Sequence, residues 1–397
     1  MEFKIRSYEE QSDRAQVEDL ERRCEVGPAE SVFLFTDTMG DPICRIRNSP
    51  MYKMLVAELD KELVGVIQGS IKLVTVPYKD LAKVGYVLGL RVVPHVRRKG
   101  IGSSLVLKLE EWFKSNDVDY AYMATEKENQ ASVGLFMNKF GYNKFRTPSI
   151  LVNPVNNHRS FRISSNIEIS LVKIDQAESL YRRFMGSTTE FFPNDIDKIL
   201  RNKLSLGTWV AYFKGDYFGF DDSQTVPNSW AMLSVWNSGE IFKLRLGKAP
   251  LYCLLYTKSW GLIDKIFPCL RNMVPSLPDF FRPFGFYFLY GVYHEGPFSG
   301  KLVRGLCEFV HNMAAEKKKK DCCKIVVTEV GGRDEELKHH IPHWKLLSTP
   351  EDLWCIKALK NNDDDGSKSS STTSNTSSFL ELTKTPTRAL FVDPREV

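Results

Sequence analysis

One stretch of the chain says most about its fold: it reads Leu90-Arg91-Val92-Val93-Pro94-His95-Val96-Arg97-Arg98-Lys99-Gly100-Ile101-Gly102. The apolar run 84–93 predicts a β-strand that Pro94 ends, and residues 103–114 predict an amphipathic helix. Glycines in the connecting loop let backbone N–H groups approach an anion closely, and the helix N-terminus favours negative charge. Because three consecutive cations stand in the same loop, we predict a phosphate-binding cradle.

This cradle differs from two common phosphate-binding motifs. It lacks the Gly-Lys-Ser/Thr of a P-loop, and no third glycine follows in the spacing of a dinucleotide-binding fold. The pattern Arg-x-x-Gly-x-Gly after a strand and a proline instead resembles the acetyl-CoA signature of the GNAT N-acetyltransferases. Arg97, Gly100 and Gly102 match that signature. A strand predicted at 119–125 and a helix at 129–140 follow in the order that the same family has.

Three further segments resemble one plant branch of the family, the Hookless-type N-acetyltransferases. They are residues 21–28, 145–154 and 391–396, so the resemblance covers nearly the whole chain. It implies acetyl-CoA as a substrate and a protein amine as the acceptor. It also implies a nuclear location, with a cytoplasmic pool as the alternative, and a role in growth and differential cell elongation under ethylene, auxin and light signalling.

Composition bounds the function independently. With 397 residues, of which 43% are hydrophobic and 26% charged, the chain can form two ordinary domains. No run approaches the ~18 apolar residues of a membrane span, and the N-terminus lacks the apolar stretch of a signal peptide. We therefore expect no membrane partner. The formal net charge of +5 is mild, so we predict no direct nucleic-acid binding.

The second part of the chain repeats the first in outline. A strand at 286–293, a helix at 301–313 and a strand at 324–329 follow one another as their counterparts do around the cradle. At the matching loop, Glu295 would repel phosphate and Pro297 lacks an N–H group. We predict an α+β fold of two tandem GNAT-like domains, 1–155 and 165–360, of which the second is divergent. Each has a mixed, mostly antiparallel sheet with a central splay, flanked by helices.

The end of the chain changes in composition. Residues 361–378 are almost entirely Asp, Asn, Ser and Thr, which is typical of a flexible linker. Residues 379–397 regain Phe, Leu and Val. We predict that this last segment docks on the body of the protein.

The resemblance assigns the acetyl-CoA contacts residue by residue. The strand end would pair with the pantetheine arm and the thioester oxygen, the loop would hold the phosphates, and a helix residue would bond the cofactor. The residues concerned are Leu90, Arg91, Val92, Arg97, Arg98, Lys99, Gly100, Ile101, Gly102 and Asn129. The role of Asn129 stays open, because a helix cap explains this residue equally well.

Candidates for the proton transfers are few. A lysine acceptor has a pKa near ~10.4 and needs a base, but the strand at 85–93 has no acidic residue. Glu126, at the end of the next strand, is the nearest candidate, and a solvated carboxylate is its alternative interpretation. Many relatives have a general-acid tyrosine where this chain has Phe136, and residues 129–141 are one more than the resemblance predicts. We interpret Tyr142 as a packing residue.

This missing hydroxyl leaves two other functions open. One is a catalytically weak or inactive scaffold that binds acyl-CoA, and the other is an acetyltransferase for small amines. No metal is expected, because Pro342 interrupts the helix on which His339 and His343 could share a face.

Overall fold

A computed structural model describes residues 2–24, 34–77, 79–155, 160–219, 225–246, 280, 282–316, 323–334, 336–345, 347–349, 351–360, 379 and 382–397. The strands are β1 (Lys4–Ser7), β2 (Leu34–Asp37), β3 (Met51–Leu59), β4 (Glu62–Val76), β5 (Lys79–Val92), β6 (Tyr120–Glu126), β7 (Asn143–Arg146), β8 (Ser149–Pro154), β9 (Ile167–Val172), β10 (Thr189–Glu190), β11 (Ser205–Phe213), β12 (Trp230–Asn237), β13 (Lys243–Leu246), β14 (Gly285–Glu295), β15 (Cys323–Val330), β16 (Asp352–Ala358) and β17 (Ala389–Leu390). The helices are α1 (Glu10–Arg23), α2 (Ile101–Ser115), α3 (Gln130–Val133), α4 (Ile174–Met185), α5 (Ile196–Leu200), α6 (Ser299–Glu316) and α7 (Leu337–His340). The predicted linker 361–378 lies outside the described residues.

Two large sheets form the body of the protein. The first has the strand order β1-β3-β4-β5-β6-β16-β7, and the second has the order β8-β15-β14-β12-β11-β9. In each sheet one central pair is parallel, β5 with β6 and β14 with β15, while the other pairs are antiparallel. This is the predicted α+β architecture, with two mixed sheets that repeat one plan.

Glycines let helix α2 lie close to the first sheet. A Cβ atom at Gly69 would stand 2.8 Å from the side chain of Leu109, and one at Gly85 would stand 2.8 Å from the ring of Phe113. Real Cβ atoms do not approach so closely, so a larger residue would push the helix outward. The helix therefore has a fixed position, and its N-terminus lies beside the end of β5 because only the loop 93–100 separates them.

The two sheets exchange strands. Strand β16, which comes from the second half of the chain, lies between β6 and β7 of the first sheet. Strand β8 lies within the predicted first domain, 1–155, but it pairs with β15 at the edge of the second sheet. Each sheet therefore contains strands from both halves. The domain boundaries themselves stay a prediction.

Residues 382–397, here called the C-terminal segment, are largely buried between the two sheets. Lys72 of β4 pairs with Glu396 at 2.7 Å and with Asp393 at 3.2 Å. Arg395 bonds Asp195 at 2.7 Å and Asp393 at 2.7 Å. The side chains in these pairs are almost completely buried, so the segment joins the halves through charges that only their partners compensate.

A second buried ion pair lies nearby. The guanidinium of Arg146, at the end of β7, donates two hydrogen bonds of 2.7 Å to the Glu190 carboxylate of β10. It also donates to the carbonyl oxygens of Leu382 and Lys384 in the C-terminal segment, at 2.9 and 3.1 Å. One side chain thus ties three parts of the chain together.

Replacing this arginine tests how much the pair stabilises the fold. We expect Arg146→Met to lower the free energy of unfolding by about 3–5 kcal/mol, because Glu190 is left as an unpaired buried charge. The matched control is Lys108→Met, which breaks an exposed pair with Glu111 and should cost about 1 kcal/mol or less. Denaturant unfolding followed by tryptophan fluorescence measures both values. Equal losses in the two variants would contradict the assignment.

Candidate functional site

The predicted cradle is a loop (93–100) with an unusual backbone. Pro94 begins a single 3₁₀ turn at Pro94–Val96, and Arg98 and Gly100 then take positive φ angles of 63° and 88°. Gly100 is the N-cap of α2, and a Cβ atom added to it would meet nothing within 4 Å. The first N–H groups of a helix have no partner within the helix, so these donors face open space beside exposed cations.

The strand that leads into the loop is the predicted binding edge. Strands β5 and β6 pair only over Val84–Val87 and Tyr120–Met123, and then diverge. A register shift in the pairing of β5 with β4 falls at Gly89, whose φ is +62°. The cleft between the diverging strands is the splay that the resemblance implies. Leu90, Arg91 and Val92 lie along it and are half-buried.

Two predicted cationic contacts already have partners in the protein. Arg97 donates from Nε to the carbonyl oxygen of Val92 at 3.0 Å, which closes the loop onto the strand end. Arg91 lies 3.5 Å from the Glu21 carboxylate of α1. The side chains of Arg98 and Lys99 are exposed and have no hydrogen-bond or ion-pair partner among the described residues, so a phosphate would meet these two cations most easily.

The helix after β6 explains the extra residue. Asn129 caps α3, since its side chain accepts a hydrogen bond from the Ser132 N–H at 3.2 Å. The helix then widens into a π-helical turn at Gly134–Lys139, which accommodates one residue more than an α-helix does. Phe136 lies in this turn, is 2% exposed, and packs edge-to-face against Tyr142. Both rings are therefore part of the core.

Glu126 ends β6 on the other side of the cleft. It is half-buried, and burial and the charge of Glu128 raise the pKa of its carboxyl group. The antiparallel pairing of β6 with β16 places Asp352 directly opposite it. The sequence-predicted candidate therefore has a second carboxyl group as a close neighbour.

Two acidic residues that the sequence did not predict, Glu329 and Asp352, lie near Glu126. Glu329, near the end of β15, accepts a hydrogen bond of 3.1 Å from the Trp354 indole N–H of β16. It stands in the second half where Glu126 stands in the first, so the internal repeat could have pointed to it. No local signal marks Asp352, because only the strand exchange brings it to the first sheet.

The matching loop of the second half has a similar backbone but lacks the cations of the cradle. Gly296 and Phe298 have positive φ angles of 87° and 64°, as Arg98 and Gly100 do at the matching positions before the first helix. A Cβ atom at Gly296 would lie 1.7 Å from the carbonyl oxygen of Asn228, so the backbone of another segment contacts this loop, whose residues 295–298 are exposed and include no cation. Residues 389–392 of the C-terminal segment line the cleft between β14 and β15, where a cavity of about 30 Å³ remains.

Two classes of site are not found in the described part of the chain. No helix there is long and apolar enough to cross a membrane. No group of three or more His, Cys, Asp or Glu side chains could hold a metal ion there. Helix α7 ends at His340, so His343 lies beyond it, and its Nδ1 lies 2.8 Å from the carbonyl oxygen of Ile341.

Known proteins share both the sequence and the architecture. The family model "Acetyltransferase (GNAT) family" matches residues 14–142. A protein of Arabidopsis thaliana described as "Probable N-acetyltransferase HLS1-like" is 47% identical over 99% of this chain and 98% of its own. "Acetyl transferase GW6a" of Oryza sativa subsp. japonica is 33% identical over 99% and 97%. A Saccharomyces cerevisiae N-myristoyltransferase with bound myristoyl-CoA shares the fold, with a TM-score of 0.53 at 11% identity over 92% and 86% of the two chains.

Substitution of the N-cap glycine tests the cradle. We expect Gly100→Glu to fold, because its side chain enters open space, and to weaken acetyl-CoA binding at least about 100-fold, since a carboxylate ~4 Å from a phosphate costs several kcal/mol. Gly100→Ala is the matched control, which carries the same backbone strain without the charge. Calorimetric titration measures both affinities. Wild-type affinity in Gly100→Glu would rule out this loop as the phosphate site.

Proposed function

The chain belongs to the GNAT acetyltransferase family, and from that premise we propose that it transfers an acetyl group from acetyl-CoA to an amine of a protein. The observation that carries this proposal is the exposed cradle at the N-terminus of α2, which opens beside the cleft between β5 and β6. The phosphates would lie on the helix N-terminus and the exposed cations, and the pantetheine arm would follow the edge of β5.

The interior behind the cleft favours a short acyl group. Tyr86 and Tyr122 stack with their ring centroids 4.9 Å apart, and Tyr122 stacks on Trp354 at 5.8 Å. These rings fill the space between the first sheet and the second half. A long acyl chain would have to displace them, so we propose acetyl-CoA, and a titration with myristoyl-CoA at the same concentrations should give weaker binding.

The reaction needs few groups of the protein. The amine lone pair attacks the thioester carbonyl carbon, a C–N bond forms, and the C–S bond breaks. A backbone N–H group at the edge of β5 can donate to the carbonyl oxygen as negative charge develops there. Phe136 has no hydroxyl group to protonate the leaving thiolate, so that proton comes from the attacking nitrogen, directly or through water.

Glu126 is our candidate for the carboxylate that faces the amine. We expect Glu126→Gln to raise KM for a lysine-containing peptide by roughly 5-fold, because a half-buried ion pair with an ammonium group contributes about 1 kcal/mol. Acetyl-CoA affinity should stay the same. Glu128→Gln, which removes an exposed carboxyl group two residues away, is the control. If KM is the same in Glu126→Gln and in the wild type, the carboxylate does not contact the acceptor.

The buried Phe136 favours a second candidate function, a scaffold that binds acyl-CoA without turning it over. One experiment separates the two functions: thiol release from acetyl-CoA is followed with a mixture of lysine-containing peptides and, separately, with small polyamines. Release with peptides supports the protein acetyltransferase, and release with polyamines alone supports a small-amine acetyltransferase. Binding of one equivalent without release in either case supports the scaffold.

The resemblance to the Hookless-type branch also supports a proposal about the location and role of the protein in the plant cell. We propose a nuclear regulator of growth and differential cell elongation in ethylene, auxin and light signalling. A fluorescent fusion of the full chain in seedlings measures its location, and a cytoplasmic signal alone would contradict the nuclear role.

A further inference from the structure

Acidic side chains from both halves meet on one face of the first sheet. Alternate residues of a strand face the same side, so Asp352 and Trp354 of β16 share a face. The same face carries Glu126, which lies opposite Asp352, and Tyr122, on which Trp354 stacks. This face points away from α2. Gly85 faces that helix, so its neighbour Tyr86 faces the opposite side, where it stacks on Tyr122.

Asp352 and Glu329, here called the carboxyl pair, share one donor. The Trp354 indole N–H donates to Glu329 Oε1 at 3.1 Å and is near enough to Asp352 to favour its ionised form. Burial raises the pKa of Glu329 to about 8, and the charge of Asp352 adds to that shift. Burial likewise raises the pKa of Asp352 to about 7, and the charge of Glu126 adds to the shift. At neutral pH the pair therefore retains about one proton.

An unpartnered hydroxyl group faces this pair. Tyr86 of β5 is 8% exposed, and its hydroxyl forms no hydrogen bond with any residue that the structure describes. Tyr86 stacks on Tyr122, which stacks on Trp354, so its ring lies on the same face as the pair. Burial raises the pKa of its hydroxyl, and the charges of Glu396, Asp352 and Glu329 add to that shift. This hydroxyl group is therefore able to form a hydrogen bond with a ligand.

A buried polar atom without a partner lies beside the bulge of β5. Gln68 is 3% exposed, and its Oε1 atom has no hydrogen-bond partner within the described residues. Gly89, where β5 begins to diverge from β6, is its neighbour, since an added Cβ atom would stand 3.5 Å from the Gln68 side chain. Unsatisfied polar atoms thus lie both at the mouth of the cleft and beside the carboxyl pair.

We propose that Asp352 and Glu329, both supplied by the second half of the chain, act together as the base that takes the proton from the acceptor amine. This rests on the proposed function. Glu126 attracts the ammonium group of the acceptor, and the hydroxyl of Tyr86 donates a hydrogen bond that orients the acceptor. The second half thus completes a catalytic site whose acetyl-CoA cradle belongs to the first half.

The acceptor nitrogen loses two protons during the reaction. The ionised member of the pair takes one proton from R–NH₃⁺, and the neutral amine forms the C–N bond as the C–S bond breaks. A second nitrogen proton goes to the thiolate and gives CoA-SH, and the pair releases its proton to solvent. A base that titrates near the working pH combines the required ionised form with the strongest affinity for the proton.

The test uses Asp352→Asn and Glu329→Gln in the full chain. Both should retain acetyl-CoA affinity within about 2-fold, and both should lower kcat with lysine-containing peptides by at least about 100-fold. The rise of kcat with pH through the pKa of the pair should disappear in both. The matched control is Glu351→Gln, next to Asp352, whose exposed carboxylate pairs with Lys127 at 2.9 Å and which should behave as the wild type.

A second readout does not depend on activity. The folded chain keeps protons on the pair that the unfolded chain loses near pH 4, so this pair makes the wild type less stable as pH rises from about 4 to 8. Glu329→Gln should flatten this decline in the unfolding midpoint. Among the described residues, the titratable groups that face the pair are Glu126, Tyr86 and Glu396, and Arg45 is the cation near Tyr86. The fit to the stability data must include all four.

The outcomes separate the two proposals. If acetyl-CoA binds and both variants keep the wild-type kcat and pH profile, the carboxyl pair is not the base and the proposed function stands. If both variants lose activity but keep the wild-type decline in stability with pH, the pair does not share a proton and the proposal also fails. If acetyl-CoA does not bind to the wild type, the proposed function fails, and the role of the pair fails with it.

Discussion

Strand β16 is the constraint on which the rest of the structure depends. Its backbone N–H and C=O groups pair with β6 on one side and with β7 on the other. Without it, the central strand pair of the first sheet would end in an unpaired edge directly beside the cleft. The first sheet is therefore complete only when β16 has joined it from the second half of the chain, so the two halves are not independent units.

This return brings charges into the interior, where they act in two opposite ways. Lys72, Arg146 and Arg395 are held by carboxylates at short distances, so they stabilise the joined halves as long as every partner is present. Asp352 and Glu329 lie close together and form no ion pair with any cation in the described part of the chain, so they destabilise the folded chain as pH rises. A cost of this kind is typical of residues that a reaction needs rather than the fold.

The two halves share one backbone plan, but their clefts are occupied differently. Gly89 and Gly291 have φ angles of 62° and 59° at equivalent bulges, so the two central strands bend alike. The loops that follow differ in charge, because residues 97–99 are three cations whereas the exposed residues 295–298 include none. The second cleft holds a part of the chain itself, and the first remains accessible to a ligand.

The sequence by itself determined the local elements and the cradle. Alternation, proline and glycine act over a few residues, so the strand before Pro94, the loop and α2 could be predicted together with the family resemblance. The pairing of β6 with β16, the burial of residues 389–397 and the meeting of Glu126 with Asp352 depend on contacts between residues far apart in the sequence. Strand pattern specifies which face is buried but not which edge a strand joins, so only the tertiary structure decided them.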